Sequence, residues 1–256
     1  MLHLVTMDWW HVAVYGAVGF VTAILSGIAG AGGGFIMTPL AIFLGLTPAQ
    51  AVASGKFTGL AVTVGSLSGL RQARGRVSKW RVLPVMVLAL VIGLVSPLII
   101  KQLDNNLYRV VLGILLLVMI PVVIYKKVGL KPGHPKLWQR FAGSGLLALA
   151  LLLQGAFSGG LGTLVNVVLM GMLGMTALEA NITKRWSQLI LNTVIILGVL
   201  GSGLIYWPFV IVGSITTFVG GYIGGHMAIG RGDTFIMHVT VLLMGIAGVA
   251  LLASAF

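Results

Sequence analysis

The chain has 256 residues, of which 58% are hydrophobic and only 8% are charged, and its mean hydropathy is +1.09. Soluble domains carry about a quarter charged residues, so this composition predicts an integral membrane protein with no separate soluble domain. The absence of cysteine excludes disulfides, thiol catalysis and thiolate metal sites. The formal charge of +12 is typical of cytoplasmic loops and predicts no nucleic-acid partner.

Ten apolar segments follow one another along the chain and predict an all-α, polytopic transmembrane bundle. In the first half they lie at about 10–29, 34–45, 49–70, 82–101 and 106–125, and in the second half at about 140–157, 163–174, 178–200, 207–229 and 235–255. The second segment of each half has about a dozen residues, whereas a straight span needs about 20. We therefore expect a short or broken helix there, with its free backbone groups satisfied by neighbouring chain.

The two halves repeat one another. A shift of 129 residues places GLTPAQAVASGKFTGL, residues 45–60, on GMTALEANITKRWSQL, residues 174–189. Some matched residues keep their chemistry without being identical: Ser54, Lys56, Phe57 and Thr58 meet Thr183, Arg185, Trp186 and Ser187. We therefore divide the single membrane domain into a first transmembrane repeat, residues 1–128, and a second, residues 129–256.

Loop charge predicts how the two repeats are oriented. RQARGRVSKWR, residues 71–81, and KKVGLKPGHPKLWQR, residues 126–140, each hold five basic residues, so both loops are expected to be cytoplasmic. GSGLIY, residues 201–206, is the second-half counterpart of the first loop and has no charge. Five crossings per half would put these two loops on opposite sides. We predict an inverted five-plus-five repeat with both termini outside; the alternative is eight spans with two re-entrant segments.

Lys56 and Arg185 occupy matched positions, seven residues into the third and eighth segments. Each should lie roughly 10 Å from its helix start, and entry from opposite faces would bring the two cations together near the midplane. A buried charge costs a few kcal/mol and normally faces a cavity or a partner, although both side chains could instead snorkel to an interface. All four acids lie at or near segment ends: Asp8, Asp104, Glu179 and Asp233. We therefore expect the two cations to hold one anion from outside the protein.

Helical spacing extends this candidate site along both helices. One stripe of the eighth segment carries Asn181, Arg185, Gln188 and Asn192, and the matched line of the third carries Val52, Lys56, Gly59, Thr63 and Ser66. The polar members of the second-half stripe, together with Lys56 and Thr63, are candidate substrate-binding residues. The hydroxyls on the opposite face favour helix packing: Ser54, Thr58, Thr183 and Ser187. Lys184 has no match in the first half and is as able to snorkel as to bind.

Two glycine-rich stretches precede the short segments. GAGGGF, residues 30–35, and its weaker copy GGLGT, residues 159–163, can point backbone N–H groups into one concavity beside a helix start, which favours an anion. The candidate binding residues there are Gly32, Gly33, Gly34 and Gly162. The alternative is close packing of small residues, which is also our interpretation of Gly220, Gly221, Gly224 and Gly225. ASGKFTG, residues 53–59, lacks the spacing of a P-loop, and no dinucleotide motif follows a strand, so no cofactor is expected.

The stretch GIAGAGGGFIMTPLAIFLGLTPAQAVASGKFTG, its weaker copy from Gly155, and the basic loop with Trp80 resemble the TauE/SafE family of sulfite-exporter-type permeases. The resemblance covers nearly the whole chain. It implies transport of small sulfur oxyanions and organosulfonates. The chain departs from the family's frequent pattern of uncharged residues at Lys56 and at Lys184 and Arg185, and its second glycine motif is degraded.

The expected function is secondary transport of a small oxyanion, sulfite or an organosulfonate, by alternating access in the bacterial plasma (inner) membrane. Alternatives are an anion channel that uses the same cations for selectivity, or a permease for another small anion such as a carboxylate. A membrane enzyme is disfavoured because the spans hold no paired acid and base and no metal cluster. The expected partners are the lipid bilayer and a small sulfur-containing anion, and the sequence is compatible with a homo-oligomer.

Overall fold

The computed structural model describes residues 9–29, 34–71, 77–102, 137–157 and 161–229, with the single positions 110, 114 and 249. Within these ranges the chain forms eight α-helices and no strand, which confirms the predicted all-α class. They are α1 Trp9–Ala29, α2 Gly34–Phe43, α3 Pro48–Gly69, α4 Lys79–Ile100, α5 Leu137–Phe157, α6 Gly162–Gly171, α7 Ala177–Val199 and α8 Trp207–Ile229. The predicted segments at 106–125 and 235–255 lie almost wholly outside the described residues.

The matched helices α3 and α7 begin in the same way. At each start a threonine side chain accepts a hydrogen bond from the backbone N–H three residues later, and that residue's side chain accepts one from the threonine N–H. Thr47 pairs with Gln50 in this way, and Thr176 pairs with Glu179. This capping box satisfies two N–H groups that a helix start otherwise leaves free. The repeat matched in sequence therefore also has a common local structure at these helix starts.

Among the described residues, three helices, α1, α4 and α8, are long and apolar enough to cross a membrane, and α5 contains a shorter apolar stretch, Phe141–Phe157. The helices α3 and α7 have 22 and 23 residues and carry the polar stripes. The outer face of α4 leaves bulky apolar side chains exposed: Leu83, Val87, Leu90, Val91, Leu94, Val95 and Leu98. Such a face is too large for a soluble monomer and suits contact with lipid. The protein is a multi-pass membrane protein.

Helices α1, α3 and α8 run in the same direction through the bundle. The facing pairs advance together along the three helices: Gly16 with Val212, Gly27 with Gly224, Thr58 with Gly213, and Ser66 with Gly225. Because α1 and α3 are parallel, the chain between them returns to the opposite end of the bundle. The ten-residue α2 accounts for part of that return.

Helix α7 runs opposite to α3. Near the start of α3 the Ser54 hydroxyl accepts a hydrogen bond of 2.9 Å from the N–H of Tyr206, and further along α3 Gly59 faces Asn192. Residues further along α3 therefore face earlier residues of the second half, so the two helices are antiparallel. Across the bundle, α8 packs on α1 and α3, and α4 packs on α5 and α7. The fourth helix of each half thus packs on the first and third helices of the other half.

The four α8 glycines interpreted above as packing residues lie in close contact with neighbouring helices. Gly220 and Gly224 face backbone of α1, and Gly221 and Gly225 face backbone of α3. Small residues at these positions let three helices approach closely, which is how helices associate where lipid supplies no hydrophobic driving force. The packing interpretation of these glycines is confirmed.

We expect Gly224→Ala to lower thermal stability, because the added Cβ would lie 2.9 Å from the Cα of Gly27, where no flexible side chain can move aside. Overpacking of this kind typically costs about 1–3 kcal/mol. The measurement is the melting temperature of the purified protein in detergent. The control is Gly145→Ala on α5, where an added Cβ meets nothing within 4 Å and the melting temperature should hold or rise. Equal melting of the two variants would contradict the close contact of α1 with α8.

Candidate functional site

The two matched cations are buried inside the bundle. The exposed fraction of Lys56 is 2% and that of Arg185 is 0%. Lys184 is also fully buried and therefore does not reach the surface of the described bundle. Burial of all three side chains argues against snorkelling, since a snorkelling cation keeps its charged end in water.

Lys56 donates a hydrogen bond from Nζ to the backbone carbonyl of Gln154 at 2.9 Å. Gln154 is the fourth residue from the end of α5, so its carbonyl is among those that have no partner within the helix. The end of a helix also carries partial negative charge, which favours a nearby cation. Lys56 of the first half therefore satisfies a free carbonyl at the C-terminal end of α5, the first helix of the second half.

Arg185 makes the reciprocal contact. Its Nη2 donates to the backbone carbonyl of Ser26 at 2.5 Å, and Ser26 is the fourth residue from the end of α1. The Nε group donates to the Asn181 side-chain oxygen at 3.4 Å, which holds the guanidinium in place. The Nη1 group is buried and has no hydrogen-bond partner. Arg185 thus satisfies a free carbonyl at the C-terminal end of α1 and keeps its Nη1 group available as a donor.

The two cations do not converge in this conformation. The contact between Gly59 and Asn192 sets the register of α3 on α7. Lys56 lies three residues before Gly59 on α3. Arg185 lies seven residues before Asn192 on the antiparallel α7, and therefore on the other side of the contact. The ten residues of axial offset correspond to a separation of about 15 Å along the helix axes. Sequence depth alone could not supply this helix register. The shared anion remains a prediction, and for one ligand to touch both cations each would have to turn from its carbonyl toward the centre.

Polar groups without partners lie between the two cations. Gln188 and Asn192 are 5% and 4% exposed, and the oxygen of Gln188 and the nitrogen of Asn192 are buried without a hydrogen bond. Thr63 differs, because its hydroxyl donates to the Gly59 carbonyl at 2.7 Å. Buried polar atoms are usually paired, so the two amides indicate a place for a polar ligand or water. The structure thus joins the predicted stripes of α3 and α7 into one seam.

The glycine motifs are described only at their helix starts. Gly34 begins α2 and Gly162 begins α6, and each of these helices has ten residues. Gly32 and Gly33 lie outside the described residues. The predicted short helices are present in both halves, and each begins within or directly after a glycine-rich stretch.

Glu179, the one carboxylate side chain within the described ranges, is engaged elsewhere. It completes the capping box of α7 and lies 3.6 Å from the guanidinium of Arg81 on α4. The same ranges hold no group of three His, Asp or Glu that could bind a metal ion. Glu179 therefore does not neutralise Arg185, which agrees with its position near a segment end.

Sequence reasoning missed the two carbonyls that receive the cations. Ser26 and Gln154 are polar residues four places from the end of apolar helices, and the shift of 129 carries Ser26 to the neighbour of Gln154. The near match of these two polar residues in the repeat was the sequence signal that could have indicated the two acceptors. Acceptance by a backbone carbonyl depends on position and not on residue type, so it leaves no clear trace in composition.

Antiparallel polar helices with buried cations, enclosed by lipid-facing apolar helices, define a multi-pass membrane transport protein. The family model "Sulfite exporter TauE/SafE" matches residues 15–251. The chain belongs to the TauE/SafE family, whose members are membrane transporters and not enzymes. It is also 27% identical over 241 residues, 90% of each chain, to a "Probable membrane transporter protein" of Haemophilus influenzae.

We expect Glu179→Gln to leave both stability and anion binding near wild type, because glutamine performs the same capping role at Gln50 in the first half. Thr176→Ala should instead lower the free energy of unfolding by about 1 kcal/mol through loss of the cap. Both are measured by thermal denaturation with and without methanesulfonate. A changed anion response in Glu179→Gln would show that this carboxylate does influence Arg185.

Proposed function

We propose that the protein is a secondary permease that moves a small oxyanion, sulfite or an organosulfonate, across the bacterial plasma membrane by alternating access. One observation carries the proposal: Arg185 is fully buried, its Nη1 group has no partner, and the described carboxylate Glu179 lies elsewhere. The description of the matching family as sulfite exporters supports a sulfur oxyanion.

The proposed substrate site follows the seam between α3 and α7. Arg185 binds the anion through its free donor, oriented by Asn181, and Lys56 attracts the anion from the other end of the seam. The amides of Gln188 and Asn192 supply neutral contacts between them, and Thr63 borders this stretch. The glycine motifs contribute backbone N–H groups from two helix starts, through Gly32, Gly33, Gly34 and Gly162.

Electrostatics favours a ligand at this place. A cation inside a membrane domain costs a few kcal/mol, and the Ser26 carbonyl offers Arg185 only a partial charge. A full negative charge beside Nη1 would offset that cost and satisfy the remaining N–H donors. Burial of both cations also favours an occluded transport intermediate over the open pore of a channel. Saturable flux in proteoliposomes would distinguish the permease from a channel.

We expect Arg185→Gln to weaken anion binding at least about tenfold, because a charge-assisted hydrogen bond contributes about 1.5–3 kcal/mol. Arg185→Lys should lose less, since it keeps the charge but not the planar pair of donors. Lys56→Gln should weaken the same ligand, by a smaller factor. The measurement is a thermal-shift titration with sulfite and methanesulfonate, in which a bound ligand raises the melting temperature.

The matched control is Thr193→Ala on α7, whose hydroxyl is exposed and bonded to the Leu189 carbonyl. It should keep wild-type affinity. If Arg185→Gln and Lys56→Gln also keep it, both cations are structural and the anion site lies elsewhere.

Alternating access by two inverted repeats, residues 1–128 and 129–256, is supported by the helix directions. The antiparallel course of α3 and α7, with α1 parallel to α3, suits five crossings per half and not a re-entrant second segment. The exchange of packing partners between halves suits a pseudo-twofold relation. In such an arrangement the ends of α3 and α7 open on opposite sides of the membrane.

We expect cysteines at Ser78 and Gly201 to react with membrane-impermeant reagents from opposite sides. Both positions are exposed, and an added side chain at Gly201 meets nothing within 4 Å. The chain has no native cysteine, so each single variant carries one label site. Labelling of intact cells and inverted vesicles gives the side directly. Reaction of both cysteines from one side would favour four crossings per half.

A further inference from the structure

Two serine hydroxyls beside the cation of the second half have no hydrogen-bond partner. Ser26 on α1 and Ser66 on α3 are each 0% exposed, and neither Oγ atom is bonded. A helical hydroxyl can bond the carbonyl four residues back, as Thr63 and Ser96 do here. Two buried hydroxyls left without this bond are costly and point to an absent partner.

Both serines lie at Arg185. Ser26 is in direct contact, because its carbonyl accepts the hydrogen bond from Nη2. Ser66 lies seven residues beyond Gly59 on α3, and Arg185 lies seven residues before Asn192 on α7, so the antiparallel register brings them level. A spacing of seven also keeps each residue on the same helix face as the contacting pair.

The packing on α8 gives the same placement independently. Gly27, next to Ser26, lies against Gly224, and Ser66 lies against Gly225. Because Gly224 and Gly225 are adjacent on α8, the two serines lie at the same depth in the bundle. Three buried donor groups without partners lie at this depth: the two hydroxyls and Nη1 of Arg185.

We propose that Ser26, Ser66 and Arg185 form one three-donor site for the –SO₃ group of a sulfite or sulfonate ion. The inference rests on the proposed permease function and specifies which group of the substrate is recognised and where. A pyramidal –SO₃ group presents three oxygens and can accept from all three donors. A planar carboxylate offers only two oxygens, both in one plane, so donors from three helices cannot each reach a separate oxygen, and the site favours –SO₃.

The experiment measures the affinities of methanesulfonate, sulfite and acetate, and the melting temperature without ligand, in Ser26→Ala and Ser66→Ala. Each variant should weaken methanesulfonate about tenfold and acetate less than about threefold, which lowers the selectivity for –SO₃. Each should also melt at or above wild type without ligand, because it removes an unpartnered hydroxyl. Affinity and unliganded stability thus change in opposite directions, which a purely structural role would not produce.

The matched control is Ser96→Ala on α4, an equally buried serine whose hydroxyl is bonded to the Ile92 carbonyl. It should leave the ratio of methanesulfonate to acetate affinity unchanged. Equal losses of sulfite and methanesulfonate in the serine variants would show that the shared –SO₃ group is recognised, and binding of sulfite alone would assign the site to the inorganic ion.

Two results would overturn the inference. Serine variants that melt lower and keep wild-type selectivity would make the hydroxyls packing groups, while anion binding to the wild type would leave the permease proposal intact. A wild type whose melting temperature responds to none of the three anions would overturn the permease proposal together with the site.

Discussion

A cation buried in a membrane domain needs an acceptor, and a helix that ends there needs donors for its last carbonyls. Lys56 and Arg185 meet both needs at once, because each donates to the fourth carbonyl from the end of a helix in the other half. The two contacts join the halves reciprocally. The packing of α8 on α1 and of α4 on α5 therefore surrounds helix ends at which one free carbonyl is already satisfied by a cation.

Arg185 and Lys56 differ in the geometry of the N–H donors that remain after each has bonded its carbonyl. The guanidinium of Arg185 uses Nη2 for the Ser26 carbonyl and Nε for Asn181, and its fixed fork aims Nη1 in another direction. One side chain can therefore hold the fold and face a ligand together. The three N–H donors of Lys56 share a single nitrogen, which lies at the Gln154 carbonyl and is not part of a planar fork. Two unpartnered hydroxyls, those of Ser26 and Ser66, lie at the depth of Arg185, which makes the two ends of the seam chemically unequal.

Local features of the fold were predictable, whereas relations between helices were not. The segments 10–29, 49–70 and 207–229 agree with α1, α3 and α8 to within one residue, because hydropathy and caps are local. Helix α4 begins at Lys79, three residues before its predicted segment, because its polar first turn lowers the hydropathy there. The stripe through Arg185 was also predictable from spacing. The register of α3 on α7, and hence the separation of the cations, depends on side-chain packing between helices. The sequence of one helix alone does not determine it.

The small residues of α8 connect packing with binding. Gly224 and Gly225 let α1 and α3 approach one helix side by side, and Ser26 and Ser66 lie next to those contacts. A larger residue at either glycine would move one serine away from the other, although neither glycine offers a side chain to a ligand. The spacing of the proposed donors is therefore determined by residues outside the site. In the proposed site, a segment with the composition of simple helix packing therefore helps to determine which anion is accepted.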